Sequence, residues 1–104
     1  MTDIQLGLTW PLQGLLRTSV PYGVPVPRLY CWDGHCITLR GRSSLLLVHC
    51  ATRYTCVRFD LSHEDWKNFP HMAMEEIRLG LLDAGISERQ ATEFQMHKRS
   101  ICEA

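Results

Sequence analysis

The sequence has no net charge, no membrane-length apolar run and none of the common nucleotide or hydrolase signatures. Eleven Lys and Arg balance eleven Asp and Glu, so no global field draws the protein to nucleic acid or an anionic membrane. A membrane span needs about 20 consecutive apolar residues, and no stretch approaches that. The N-terminus carries Asp3 in place of a basic region, and its apolar stretch is cut by Gly7, Trp10-Pro11 and Gly14, so no secretory signal is expected. G-x-G-x-x-G, the P-loop, G-x-S-x-G and H-E-x-x-H are all missing. Internal repeats and low-complexity tracts are absent as well. These gaps argue against dinucleotide, NTP and serine-hydrolase chemistry and lean away from an enzyme.

What is present is an ordinary globular composition, 45% hydrophobic and 21% charged over 104 residues. That length predicts a single domain over 1–104 with a core that needs no staples. Five cysteines, an odd number, follow no secretory signal and are expected as reduced thiols in the cytoplasm. Charge is segregated along the chain. Between Arg28 and Arg58 five Arg face only Asp33, a balance of +4, whereas residues 59–104 balance to −4. Such asymmetry can steer an anionic partner to one face; it can equally reflect two halves that complement each other inside one fold.

The chain is organised around residues 31–61. Ahead of them, Ile4, Leu6 and Leu8 alternate, which predicts a strand over 3–9. Pro11 suits the first position of a short helix through Leu16. The prolines of Val20 to Pro27 predict an extended connector. Three strands should follow as an antiparallel meander. The first, His35 to Arg40, turns at Gly41-Arg42. The second, Leu45 to Val48, is apolar throughout, as in a strand covered on both faces. After a turn at Ala51-Thr52-Arg53, the third places Thr55, Val57, Phe59 and Leu61 on its core side. Ser62 with Asp65 resembles a capping box opening a helix that ends before Gly85, a natural C′ residue. Ser87 with Gln90 opens a last helix with apolar Ala91, Phe94 and Ile101, and with Lys98-Arg99 suiting its C-terminal dipole. The expected fold class is α+β, a small mostly antiparallel sheet with two C-terminal helices packed on one face.

Candidate chemistry is sparse. Cys31, Cys36, Cys50 and Cys56 invite a zinc reading, but structural zinc uses close knuckles on turns, and buried free cysteine is the commoner state. His35-Cys36 and His49-Cys50 are sequence neighbours on strands and point to opposite faces, so neither pair can form a nucleophile and its base. His63-Glu64-Asp65, like His71, has a structural reason at a helix start. No catalytic residue, metal ligand or cofactor is assigned. The candidate partner-binding residues are Arg40, Arg42, Arg53 and Tyr54. Arg and Tyr are enriched at binding hot spots, although charge on turns and edges also discourages edge-to-edge pairing. Arg40 and Arg42 flank one turn of the meander and Arg53 and Tyr54 the other, so the four need not form one patch.

Trp32, Ile37-Thr38-Leu39, Arg42, Leu45 to His49, Thr52-Arg53-Tyr54, Asp65 to Phe69 and Gly85-Ile86 together resemble a family of small bacterial proteins classed only as a domain of unknown function. The resemblance covers most of residues 4–95. It implies an α+β fold, supplies no activity, and suggests a mobile-element context. The functional expectation is a non-enzymatic interaction module that binds another protein. One concrete form is an inhibitor of a host defence complex. A nucleic-acid-binding domain using the basic sheet face is the alternative, and a zinc or thiol protein is the third reading.

Overall fold

The computed structural model describes residues 2–96 and 101–104. A two-residue strand β1 (Thr2–Asp3) leads into β2 (Gln5–Leu8). Ile4, Leu6 and Leu8 are all buried, as their alternation predicts. Helix α1 (Trp10–Leu16) carries Pro11 in its first turn, and the N–H of Arg17, in the left-handed region, bonds back to Gln13 and Gly14. Its Leu12 is fully buried. The proline-rich connector holds no helix or strand, only an isolated bridge between Tyr22 and Glu103.

The meander forms from β3 (Cys31–Leu39), β4 (Arg42–His49) and β5 (Thr55–Arg58), antiparallel throughout. The sheet as a whole is mixed and not mostly antiparallel. Its order is β5-β4-β3-β2-β7, where β7 is Ile101–Glu103, and β2 runs parallel to both β3 and β7. The reason is connection length. Parallel neighbours need a crossover of a dozen or more residues, and α1 with the connector supplies one between β2 and β3.

Two local expectations shift. Leu39 pairs with Arg42, so the hairpin's central residues are Arg40 and Gly41, not Gly41 and Arg42. Both have positive φ, 51° and 76°, as a two-residue type I′ turn requires. The third strand presents the opposite face from the one expected. Val57 is 38% and Phe59 63% exposed, while Tyr54 and Cys56 pack against the core. The inward set wins because it meets a helix closely: Arg58 pairs with Glu76 at 3.4 Å, and Cys56 lies against Gly80.

Helices α2 (His63–Lys67) and α3 (Phe69–Asp83) follow. The Ser62–Asp65 capping box is complete in both directions. These bonds to Ser62 hold the Asp65 carboxyl below its usual range. Helix α3 ends in a Schellman motif, Gly85 N–H to Leu82 and Ile86 N–H to Leu81, with Gly85 at φ 94°. It lies on the inner sheet face, where Leu6, Trp32, Leu45, Leu47, Met74 and Ile77 join one buried cluster. Leu12 of α1 joins the same cluster, against Gly34.

The last helix is shorter than its apolar stripe suggests. α4 is Glu88–Ala91, with Gln90 N–H bonded to the Ser87 hydroxyl, and the chain then turns into β6 (Phe94–Gln95), parallel to β1. Ile101 belongs to β7. Sheet pairing with β1 and β2 overrides local helix propensity here. Lys98 and Arg99 lie outside the described residues. No helix among the described residues is long and apolar enough to cross a membrane.

Candidate functional site: an apolar cavity at the β4–β5 loop

At one end of the sheet β3 begins, β4 ends, and α3 and β6 pass close by. Between them lies a cavity of about 570 Å³, within the range of roughly 300–1,000 Å³ typical of ligand sites. Trp32, His49, Tyr54, Leu81, Ala84 and Phe94 form much of its wall. Each is placed by a simple feature of the chain. Trp32 and His49 are directly opposed on β3 and β4, and their rings meet with centroids 5.0 Å apart. Gly80 lets α3 approach β5, since a Cβ there would sit 2.8 Å from the Cys56 sulfur and 3.2 Å from the Tyr54 ring. The Arg78 guanidinium donates to the Phe94 carbonyl at 2.9 Å, fixing β6 against α3.

The cavity's polar groups are already occupied. His49 Nε2 donates to the Leu29 carbonyl, and Nδ1 meets the Thr52 hydroxyl, both at 2.8 Å. A carbonyl only accepts, so Nε2 carries a proton, and the Thr52 hydroxyl is left to donate to Nδ1. Thr52 Oγ1 also accepts from Tyr54 N–H. His49 is therefore a strut that ties the loop to the segment before β3 through both ring nitrogens. The Tyr54 hydroxyl donates to Asp83 at 3.1 Å, which raises the phenol's pKa. Arg53 differs. Its φ is 65° and its N–H closes the loop onto His49 O at 2.8 Å. Its exposed guanidinium makes no hydrogen bond or ion pair among the described residues.

A family model described as a domain of unknown function (DUF6933) matches residues 5–103. The chain belongs to that family. No curated protein and no solved structure matches it.

In this DUF6933 chain the four sequence-derived site residues divide into two pairs. Arg53 and Tyr54 line the cavity. Arg40 and Arg42 sit at the far end of β4, whose eight residues span about 25 Å at strand rise. Arg42 is held there by Asp60 at 2.6 Å, both side chains exposed. Of the other basic residues of the sheet half, Arg28 donates to the Cys50 carbonyl and Arg58 pairs with Glu76. The basic stretch is thus largely engaged within the fold.

The four cysteines of the zinc reading do not converge. Cys31, opposite Gln5, shares the outer face with Asp33, while Cys36 and Cys56 share the inner face with Leu45 and Leu47. Among the described residues no three His, Cys, Asp or Glu groups could hold a metal ion. Burial raises the pKa of all five thiols, the reverse of what an activated nucleophile shows. His35 is occupied by Thr9 at 2.7 Å, and His71 lies 3.6 Å from Glu75.

Sequence reasoning did not assemble Leu81, Ala84 and Phe94 into a site, because they lie far along the chain from the meander. One signal was present. Gly80 lies within α3, in its last turn, and a glycine inside a helical pattern usually marks close packing.

Proposed function

We propose that this protein is a non-enzymatic binding module that captures a partner protein at the β4–β5 loop. The cavity takes an apolar or aromatic side chain of the partner, and Arg53 meets an acidic group beside it. The observation that carries this reading is a roomy apolar cavity whose own polar groups are internally bonded, next to Arg53, whose guanidinium has no partner among the described residues. Apolar walls favour burial of an apolar group. His49 and Tyr54 are each held by bonds within the fold, which leaves the apolar wall as the surface on offer for binding. Aromatic anchors ringed by Arg and Tyr are the usual hot-spot arrangement. A cytoplasmic setting belongs to the same proposal, supported by five unbridged thiols.

The test is affinity purification of the tagged protein from its own cells, with and without nuclease. It is run beside Arg53→Glu and Ala84→Trp, which reverse the loop charge and fill the cavity at an exposed position. A stoichiometric protein that survives nuclease and is lost with both variants supports the proposal. Capture unaffected by both variants overturns it. Partners lost with nuclease overturn it in favour of nucleic acid.

A further inference from the structure

Two cysteines on the outer sheet face form a pair that the candidate site does not use. Continuing the β3–β4 register one step beyond Trp32 and His49 places Cys31 directly opposite Cys50. The Cys50 N–H bonds to the Cys31 carbonyl at 3.0 Å. Hydrogen-bonded antiparallel partners have Cα atoms about 5.5 Å apart, inside the window of roughly 4.4–6.8 Å that a disulfide spans. Both thiols border the same outer-face cavity, of about 430 Å³, with Asp33 and Arg28.

Geometry excludes the other pairings. Cys102 also borders that cavity, but it opposes Gly7, which opposes Asp33. That is two strand spacings, about 9–10 Å, beyond the roughly 7 Å at which a bridge fails without backbone movement. Cys36 and Cys56 face the opposite side of the sheet and are themselves two strands apart, opposite Leu45 and Leu47 on β4.

We infer that Cys31 and Cys50 are a reversible thiol–disulfide site, oxidised by exchange with a low-molecular-weight disulfide such as oxidised glutathione. The Cys31 thiolate attacks one sulfur of the glutathione disulfide and releases one glutathione thiolate. Cys50 then gives up its proton and attacks the Cys31 sulfur, releasing the second. Two protein thiols are oxidised, one disulfide is reduced to two glutathione thiols, and the protons pass to the leaving groups.

The bond is built to be labile. Directly opposed residues hold their Cβ atoms about 4.5–5.5 Å apart, wider at hydrogen-bonded pairs, whereas a disulfide wants about 3.8 Å. Closing that gap strains the bridge and favours reduction. The ladder end allows the approach, because the Cys31 N–H turns away to the Arg28 carbonyl and Cys50 already belongs to the turn. The Cys50 thiol is pushed up to about 11, mainly by burial and then by Asp33. Exchange is therefore slow near neutral pH and accelerates as pH rises. The bridge would join the first residue of β3 to the start of the loop bearing Thr52, Arg53 and Tyr54, giving thiol state a hold on that loop.

Full-length protein is equilibrated at pH 8 in buffers of reduced and oxidised glutathione, quenched by alkylation and mapped with trypsin. Peptide 29–40 is expected to be joined to peptide 43–53, and Cys36→Ser retains the link while Cys31→Ser and Cys50→Ser each abolish it. Excess reduced glutathione should break the bond without denaturant, and amide exchange of residues 51–54 should slow in the oxidised form. Glutathione adducts without an internal bond overturn the inference, as does a link that persists in Cys31→Ser. A bridge resisting reduced glutathione overturns its reversibility, and unchanged exchange over 51–54 overturns its hold on the loop.

Discussion

The two ends of β4 start from similar chemistry and arrive at different surfaces. Each turn holds an arginine in the left-handed region, Arg40 at φ 51° and Arg53 at φ 65°. At the hairpin end two residues make the turn, Arg42 reaches Asp60 across the surface, and Arg40, Gly41 and Arg42 are all exposed. At the loop end, His49 is clamped by Leu29 and Thr52, the Trp32 ring meets it at a tilt, and α3 and β6 close over both. Turn arginines alone do not make a site. What distinguishes the second end is that distant segments converge there and leave apolar space beside the Arg53 charge.

That contrast predicts a graded set of outcomes. Trp32→Ala removes the wall of the cavity and a buried ring, and should cost about 3–5 kcal/mol in denaturant unfolding. A smaller loss than that of any hairpin-end substitution would break the comparison. Gly80→Val drives a side chain into Cys56 and Tyr54 and should cost about 1–3 kcal/mol by overpacking, with the Tyr54 environment visibly altered in near-ultraviolet spectra. At the other end, Gly41→Ala imposes only the backbone penalty of φ 76°, about 1–2 kcal/mol. Arg42→Ala breaks a solvent-screened, exposed pair and should move the denaturation midpoint less than any of these three substitutions.

The last effect is confined to the loop end and depends on pH. The folded-state pKa of Cys50 is raised from 9.0 to about 11, so the folded protein holds this proton more tightly than the unfolded chain. Its contribution is fully present below about pH 9 and is lost as pH rises toward 11. An alkaline stability titration should show that decline, and Cys50→Ser should shrink it. An identical profile in the variant would show that the thiol environment is not coupled to folding.

Much of the fold was legible where the signal is local. Ile4, Leu6 and Leu8 bury as their period of two demands, Pro11 lies in the first turn of α1 one residue after its start at Trp10, and Ser62 and Gly85 cap helices as their side chains and backbone freedom predict. Failures came where a distant element had the deciding contact. Val57 and Phe59 look like the core set of β5 by hydrophobicity, yet Gly80 and Glu76 of α3 select the Cys56 and Arg58 side. Phe94 and Ile101 fit a helical stripe, yet pairing with β1 and β2 draws both into strands. The hairpin register shifted by a single residue because glycine satisfies either central position when positive φ is the only criterion. Two residues of the candidate site, Arg53 and Tyr54, were visible as exposed-looking residue types. The cavity beside them was not, since its walls come from positions 4 to 94.

The sequence by itself determined the element types as far as α3, the caps, the meander and the absence of a nucleotide-binding motif, all of which follow from short-range sterics, hydrogen bonding and periodicity. Tertiary structure alone decided that the sheet is mixed, which face of β5 is buried, and that one turn borders a cavity while the other stays exposed. Those outcomes depend on which surfaces meet. Packing free energy is set by segments brought together across most of the chain, and no local pattern encodes the identity of the neighbour.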